Sequence, residues 1–239
     1  MKKFLILFTF LFLTSCSHKG DPLYGYNKTM FTINEGLNQV IIFPATKAYK
    51  FVLPQPIKSG ISNFFSNLRQ PVYMVHNLLQ ADFDGAGNNF EKFFINSLIG
   101  VGGLFDIAGK EGIETHKEDF GQTFAVWGAS DGPYIVLPII GPSNLRDSVG
   151  LVGDIFTDPI NVWARNTDKK YIAYQRAVLE GLSNLEPNIE TLENLRKTSP
   201  DLYATIKTVY EQKRADDIAD GEISDNLDEY YPSEYEFLN

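Results

Sequence analysis

Cysteine is nearly absent from this chain. Cys16 is the single one in 239 residues, so no internal disulfide can form. Histidine occurs three times and tryptophan twice, which leaves little for a His-based metal set or catalytic constellation. No apolar run reaches the ~20 residues that a membrane-spanning helix needs. No basic cluster is present either: from Asp216 to the end there are nine acidic residues and no Lys or Arg. That distribution excludes a nucleic-acid footprint, and no nucleic-acid partner is expected. Pro and Gly are not scarce, and they crowd residues 119–147, DFGQTFAVWGASDGPYIVLPIIGPSNLRD. Such a concentration of backbone-special residues marks a place where chain segments pass close together.

What the chain does have begins at its N-terminus. Met1-Lys2-Lys3 is a short basic region, residues 4–13 are an apolar run, and Leu13-Thr14-Ser15-Cys16 follows. The run has the length of a signal-peptide core. Small residues before a cysteine form a lipobox, in which Cys16 receives a diacylglyceryl group and becomes the first mature residue. The alternative is an ordinary secretory signal with an incidental cysteine. Removing the leader takes away Lys2 and Lys3. Basic residues then fall from 21 to 19 against 30 acids, a net charge of −11. Ser17, where an Asp often signals inner-membrane retention, favours the outer membrane. The expected divisions are a lipoprotein signal peptide at 1–15, a lipidated tether at 16–29, a helical domain at 30–215 and an acidic, disordered tail at 216–239.

Along the domain the apolar spacing is helical. A first helix is expected from Met30 to Val52, kinked at Pro44, with Asn27 or Thr29 as its N-cap. Pro56 opens a second, which Arg69-Gln70-Pro71 should break. Residues 84–98 form an amphipathic helix with Phe90, Phe93, Phe94 and Leu98 on one broad face. Further helices are expected from Ser143 to Ile155, over 160–164, 168–185 and 188–197, and from Ser199-Pro200-Asp201, with Ser199 as N-cap. Residues 134–140 are the one strand candidate. The count favours an all-α fold of many short helices with at most a short hairpin or strand. The same stripes are compatible with two arrangements, a compact periplasmic core or helices bent around a path and greasy on the outside.

Candidate chemistry is thin. Gly128-Ala129-Ser130-Asp131-Gly132 fits the G-x-S-x-G pattern of a hydrolase nucleophile. That elbow needs a strand before the serine and a helix after it, and here the order is reversed. Gly100-Val101-Gly102-Gly103 lacks the third glycine and the leading strand of a phosphate-binding loop. His116 with Glu114, Glu118 and Asp119 lacks metal-ligand spacing and reads better as a solvated turn. Arg146 beside Asp147 suits an ion pair more than a lipid phosphate. No catalytic residue, metal ligand or cofactor is expected; Cys16 is the one modification site.

Six blocks carry a family resemblance: DPLYGYNKTMF at 21–31, SNFFSNLRQPV at 62–72, FFINSLIGVGGLFDIAG at 93–109, EDFGQTFAVWG at 118–128, GPYIVLPIIGPSNLRDSVG at 132–150 and DLYATIKTVYEQKRADDI at 201–218. In this order behind a lipobox, the chain resembles the MlaA/VacJ family of outer-membrane lipoproteins. The resemblance implies a ring-like arrangement of kinked amphipathic helices around a central amphipathic channel. It implies a protein anchored at the periplasmic leaflet of a Gram-negative outer membrane. Such a protein removes phospholipid misplaced in the outer leaflet, works with a trimeric porin, and hands its cargo to a periplasmic lipid carrier. It needs no nucleophile. A scaffold that only docks porins or other envelope proteins, and a lipase using Ser130, are the competing readings.

Overall fold

A computed structural model describes residues 21–223. The described chain is helical apart from one small hairpin. Helix α1 spans Tyr24–Leu37 and passes through a π-helical turn, Asn38–Ile42, into α2, Phe43–Val52. The wide turn sits immediately before Pro44, which has no N–H to contribute to the helical ladder. The helix therefore begins at Tyr24, inside the segment expected to be tether, and Asn27 lies within it rather than capping it.

Helix α3 runs unbroken from Gln55 to Gln80 with Pro71 inside it. The expected break at Arg69-Gln70-Pro71 does not occur. α3 is packed along its length against the antiparallel helix α4, Phe83–Leu98, and tertiary packing of that extent outweighs the ~3 kcal/mol penalty of an internal proline. A one-turn helix α5, Ile107–Lys110, follows a glycine-rich bend. Helix α6, Phe120–Val126, then leads to strand β1, Tyr134–Leu137, paired antiparallel with β2, Gly141–Asn144. The helix expected from Ser143 starts later: Ser143 belongs to β2, and Asn144 caps helix α7, Leu145–Thr157. Helices α8 (Pro159–Asn166), α9 (Lys170–Leu185), α10 (Ile189–Thr198) and α11 (Leu202–Ile218) complete the chain. The cap of α11 is Asp201, whose carboxylate accepts from the N–H groups of Tyr203 and Ala204, and Ser199 instead ends α10. α11 continues past Asp216, so the first residues of the acidic segment are helical.

The 119–147 stretch does bring segments together. α6 and α7 cross at Gly121 and Gly150, where a side chain on Gly150 would collide with the Gly121 backbone. The hairpin is held from outside by two asparagines of α1. The Asn27 amide donates to the Tyr134 carbonyl at 2.9 Å and its oxygen accepts from the Val136 N–H at 2.9 Å. Asn34, seven residues further along the same helix face, does the same for the Leu137 carbonyl at 2.8 Å and the Ile139 N–H at 2.7 Å. The sheet has only two strands, so the outer edge of β1 has no strand beside it and takes its partners from these side chains. Ile139 has φ +69°, a rare conformation for a β-branched residue, and Asn34 holds its N–H there.

Burial in this fold is inverted. Among the described residues nine apolar side chains are buried against twenty polar or charged ones. Helix α4 shows why. It buries Asn89 and Asn96 and presents Phe83, Phe90, Phe94 and Leu98 outward. Asn96 accepts from the N–H groups of Ile107 and Ala108 and donates to Asp106, so its burial satisfies the bend that follows. Helix α7 likewise exposes Leu145, Val149, Val152 and Phe156. No helix among the described residues is long and apolar enough to cross a membrane.

Candidate functional site

A cavity of about 860 Å³ lies between α3, α6 to α9, α11 and the segment before α6. Phe65, Val72, Leu151 and Ile155 give it an apolar wall; Arg69, Asp158, Glu180, Asp154, Asp119 and Arg214 give it a charged one. A second cavity, about 800 Å³, opens between the hairpin and α11 and shares Arg214.

The charged wall is built by helix ends. Asp119 is the N-cap of α6 and accepts from the Gln122 N–H at 2.9 Å. Asp147 lies in the first turn of α7, where Asn144 caps. A carboxylate in the first turn is favoured by the helix dipole. Arg214, from α11, spans both. It donates to the two Asp119 oxygens at 2.8 and 2.7 Å and to the two Asp147 oxygens at 2.8 and 3.0 Å. Tyr210, one turn earlier, donates to Asp147 at 2.6 Å. Burial works against the Arg214 charge, but the hydrogen bonds and charges of Asp119 and Asp147 hold its pKa above the ordinary arginine value. Across the cavity Arg69 donates to Glu180 at 2.9 Å and Arg176 to Asp158 at 2.8 and 3.0 Å, tying α3, α9 and the start of α8 into one network.

A third group is less balanced. Glu118 accepts from the Gln80 amide at 2.6 Å, and that amide also donates to Thr123 at 3.2 Å. His76 Nδ1 meets the Thr123 hydroxyl at 3.0 Å, and its Nε2 is 3.6 Å from Asp154. Burial lowers the His76 pKa, with the Asp119 charge opposing. Burial, with the Asp119 charge, pushes Asp154 up to about 6. Burial, reinforced by the facing Asp220 carboxyl and opposed by the Gln80 hydrogen bond, pushes Glu118 up to about 8.

A carboxyl with its folded pKa raised stabilises the fold fully below its unfolded value, and that contribution is lost as pH rises through the folded value. For Glu118 the window runs from the ordinary carboxylate range to about pH 8. Glu118→Gln keeps the neutral acceptor and removes the titration. It should therefore resist alkaline destabilisation, by roughly 2 kcal/mol at pH 9 relative to pH 6 after allowing for solvent at the cavity. Thermal unfolding of both proteins at the two pH values measures this, and parallel losses would refute the assignment.

The residues singled out in the sequence are scattered. Ser130 is exposed, in a turn that follows α6 and precedes β1, so the helix–turn–strand order stands. Its neighbour Asp131 is structural: its carboxylate meets Arg146 at 2.5 Å. Arg146 also pairs with Asp147 at 3.0 Å, as an internal ion pair. His116, Glu118 and Asp119 line the large cavity, where Asp119 is taken by Arg214 and Glu118 by Gln80. Cys16 lies outside the described residues. Sequence reading missed the roles of Asn27, Asn34, Arg214 and Gln122. For the asparagines a signal existed: polar residues seven apart, on the face of α1 that the apolar stripe does not explain.

Comparison with known proteins agrees with this architecture. The family model for the MlaA lipoprotein matches residues 19–217. The Escherichia coli (strain K12) protein named intermembrane phospholipid transport system lipoprotein MlaA is 33% identical over 209 residues, 85% of this chain and 80% of its own length. The Haemophilus influenzae protein of the same name is 29% identical over 87% of this chain and 82% of its own length. A solved structure described as the structural basis for maintenance of bacterial outer membrane lipid asymmetry superposes with a TM-score of 0.72 at 31% identity, covering 84% of this chain and all of the solved one. The chain therefore belongs to the MlaA lipoprotein family.

Proposed function

We propose that this protein removes misplaced phospholipid from the outer leaflet of a Gram-negative outer membrane and passes it to a periplasmic carrier, maintaining lipid asymmetry. The observation that carries the reading is the inverted burial: apolar helix faces turned outward around a cavity with a greasy wall and a charged wall. Outward-facing Phe and Leu on α4 and α7 suit acyl chains as solvent, and large exposed apolar area is otherwise costly in water. A path for a phospholipid must shelter the headgroup from hydrocarbon and the tails from water, and a mixed lining does both without covalent chemistry. The name of the Escherichia coli relative supports the same activity.

Within this reading Cys16 carries the acyl anchor that holds the domain at the periplasmic leaflet. Each buried methylene adds about 0.8 kcal/mol of membrane affinity, so several chains hold durably. A trimeric porin and a soluble lipid carrier of the same transport pathway are its protein partners. Deleting the protein should raise outer-leaflet phospholipid and sensitivity to detergent with EDTA. Complementation with the wild type restores both, whereas Cys16→Ala fails because it is no longer acylated or retained at the membrane. Unchanged surface phospholipid in a clean deletion would overturn the proposal. A scaffold that merely docks envelope proteins predicts no phospholipid in the purified protein, so copurified lipid decides between the two.

A further inference from the structure

We infer that the large cavity selects its lipid by headgroup, taking a phospholipid whose headgroup carries an ammonium group in preference to an anionic one, at a wall formed by Gln122, Glu118 and Asp154. The inference rests on the reading of the cavity as a phospholipid path and adds the substrate class.

The first observation is an orphaned acceptor. Gln122 is 3% exposed and lines the cavity. Its amide nitrogen is used, donating to the Lys117 carbonyl at 2.7 Å, while its Oε1 has no partner. A buried carbonyl oxygen without a donor costs about 1–3 kcal/mol. The group that relieves it is an N–H or O–H, and a phosphate oxygen would instead repel it. The second observation is the sign of what surrounds it. Asp119, Asp158 and Glu180 are matched by arginines, and the guanidinium groups of Arg69 and Arg214 are correspondingly occupied, with contacts of 2.7–2.9 Å. A lipid phosphate entering the wall would have to break those forks. Glu118 and Asp154 have no Lys or Arg ion pair among the described residues: Glu118 rests on Gln80 and shares a hydrogen bond with the Asp220 carboxyl, and Asp154 rests on the Phe120 N–H at 3.2 Å and on His76. These two carboxyls are open to a cation that arrives with the cargo. The residues do not form a metal-ligand group, and the aromatic residues Tyr73 and Phe65 belong to the same lining, a residue type that attracts an ammonium.

Burial leaves both carboxyls inclined to hold protons while the cavity lacks a cation. An ammonium beside them favours the ionised form, so the preference should strengthen as pH rises. The groups facing Glu118 are Gln80, Asp119 and Asp220; those facing Asp154 are His76, Asp119, Arg69 and Arg214. Of these His76 alone has an ordinary pKa within the range tested, and burial shifts it down, toward the neutral form.

The test equilibrates the purified full chain in detergent with vesicles equimolar in phosphatidylethanolamine and phosphatidylglycerol, re-isolates it and measures bound headgroups by mass spectrometry. The wild type should hold the ethanolamine lipid about three- to tenfold over the glycerol lipid, the range expected for a partly desolvated charge-assisted contact. The double variant Glu118→Gln, Asp154→Asn should bring the ratio near one, and Glu118→Asp should retain most of it. The wild-type ratio should also fall between pH 8 and pH 5.5, a readout that needs no variant. Bound lipid at a ratio of one overturns the selection while leaving the cavity as a lipid path. No bound lipid overturns both. A ratio unmoved by the double variant and by pH overturns the assignment to this wall. Complete displacement by tail-less glycerophosphoethanolamine would show a site for soluble amines, and would overturn lipid selection.

Discussion

Arg214→Met should destabilise the folded protein by about 2–4 kcal/mol, among the largest effects expected of any single substitution here. The guanidinium is buried and directs four hydrogen bonds to Asp119 and Asp147. Removing it leaves Asp119 at the α6–α7 crossing without a cation, while Asp147 keeps Arg146 at 3.0 Å. Breaking a buried pair by deleting one partner is costly because the remaining charge is left uncompensated, and the 35% exposure of Asp119 and the Arg146 partner of Asp147 hold the loss to the lower part of that range. The dipoles of α6 and α7 and the Tyr210 hydroxyl recover part of the loss. Neutralising the acid left alone should recover more: Asp119→Asn in the Arg214→Met background should be more stable than Arg214→Met alone, because Asp147 still has Arg146. Arg214→Lys keeps the charge but loses the fork, and should fall between. Urea or thermal unfolding in detergent, at pH 7, measures the series. A loss below 1 kcal/mol for Arg214→Met would remove this residue from its place as the clamp between α11 and the two helix ends.

Asn27→Ala should cost about 2–4 kcal/mol, and for a different reason. Asn27 is fully buried and closes the outer edge of β1 with two hydrogen bonds to the backbone, while its amide also donates to Asp21 at 2.9 Å. Asp21 in turn accepts from the Tyr203 hydroxyl, so the side chain joins the start of α1, the hairpin and α11. Alanine leaves the Tyr134 carbonyl and the Val136 N–H without a donor or acceptor, in a place where water does not reach, and leaves one Asp21 oxygen with the Leu23 N–H alone. Each orphaned group costs about 1–3 kcal/mol, and small rearrangements reduce the sum. Asn34→Ala, at a less enclosed position, should cost less. It should also release the hairpin turn, because the Ile139 N–H loses the acceptor that keeps its positive-φ conformation. Hydrogen exchange at Val136 and Ile139 distinguishes local release from global loss. Protection unchanged at Val136 in Asn27→Ala would show that the strand edge is held by something else.

The amphipathic stripes of α4 and α7, the glycine crossing in 119–147 and the hairpin strand were all legible in the residues. The errors fell where a local rule met a stronger long-range one. Pro71 breaks a helix in isolation, but packing against α4 keeps α3 helical on both sides of it. Ser199 and Asp201 are both good caps, and the chain uses the one whose carboxylate reaches two N–H groups. Asn27 reads as a cap until α1 is seen to start at Tyr24.

The sequence by itself determined that this is a chain of two-faced helices, with residues 119–147 drawn tightly together, because periodicity and backbone chemistry are local and need no partner. Only the tertiary structure decided that the greasy faces of α4 and α7 look outward and the asparagines inward. A helical period says that two faces differ, and not what stands opposite either of them. The same holds for the charged wall: Arg214 lies 67 and 95 residues from the carboxylates it joins, and no spacing rule reaches that far. Their meeting, and the cavity it borders, follow from how the helices pack.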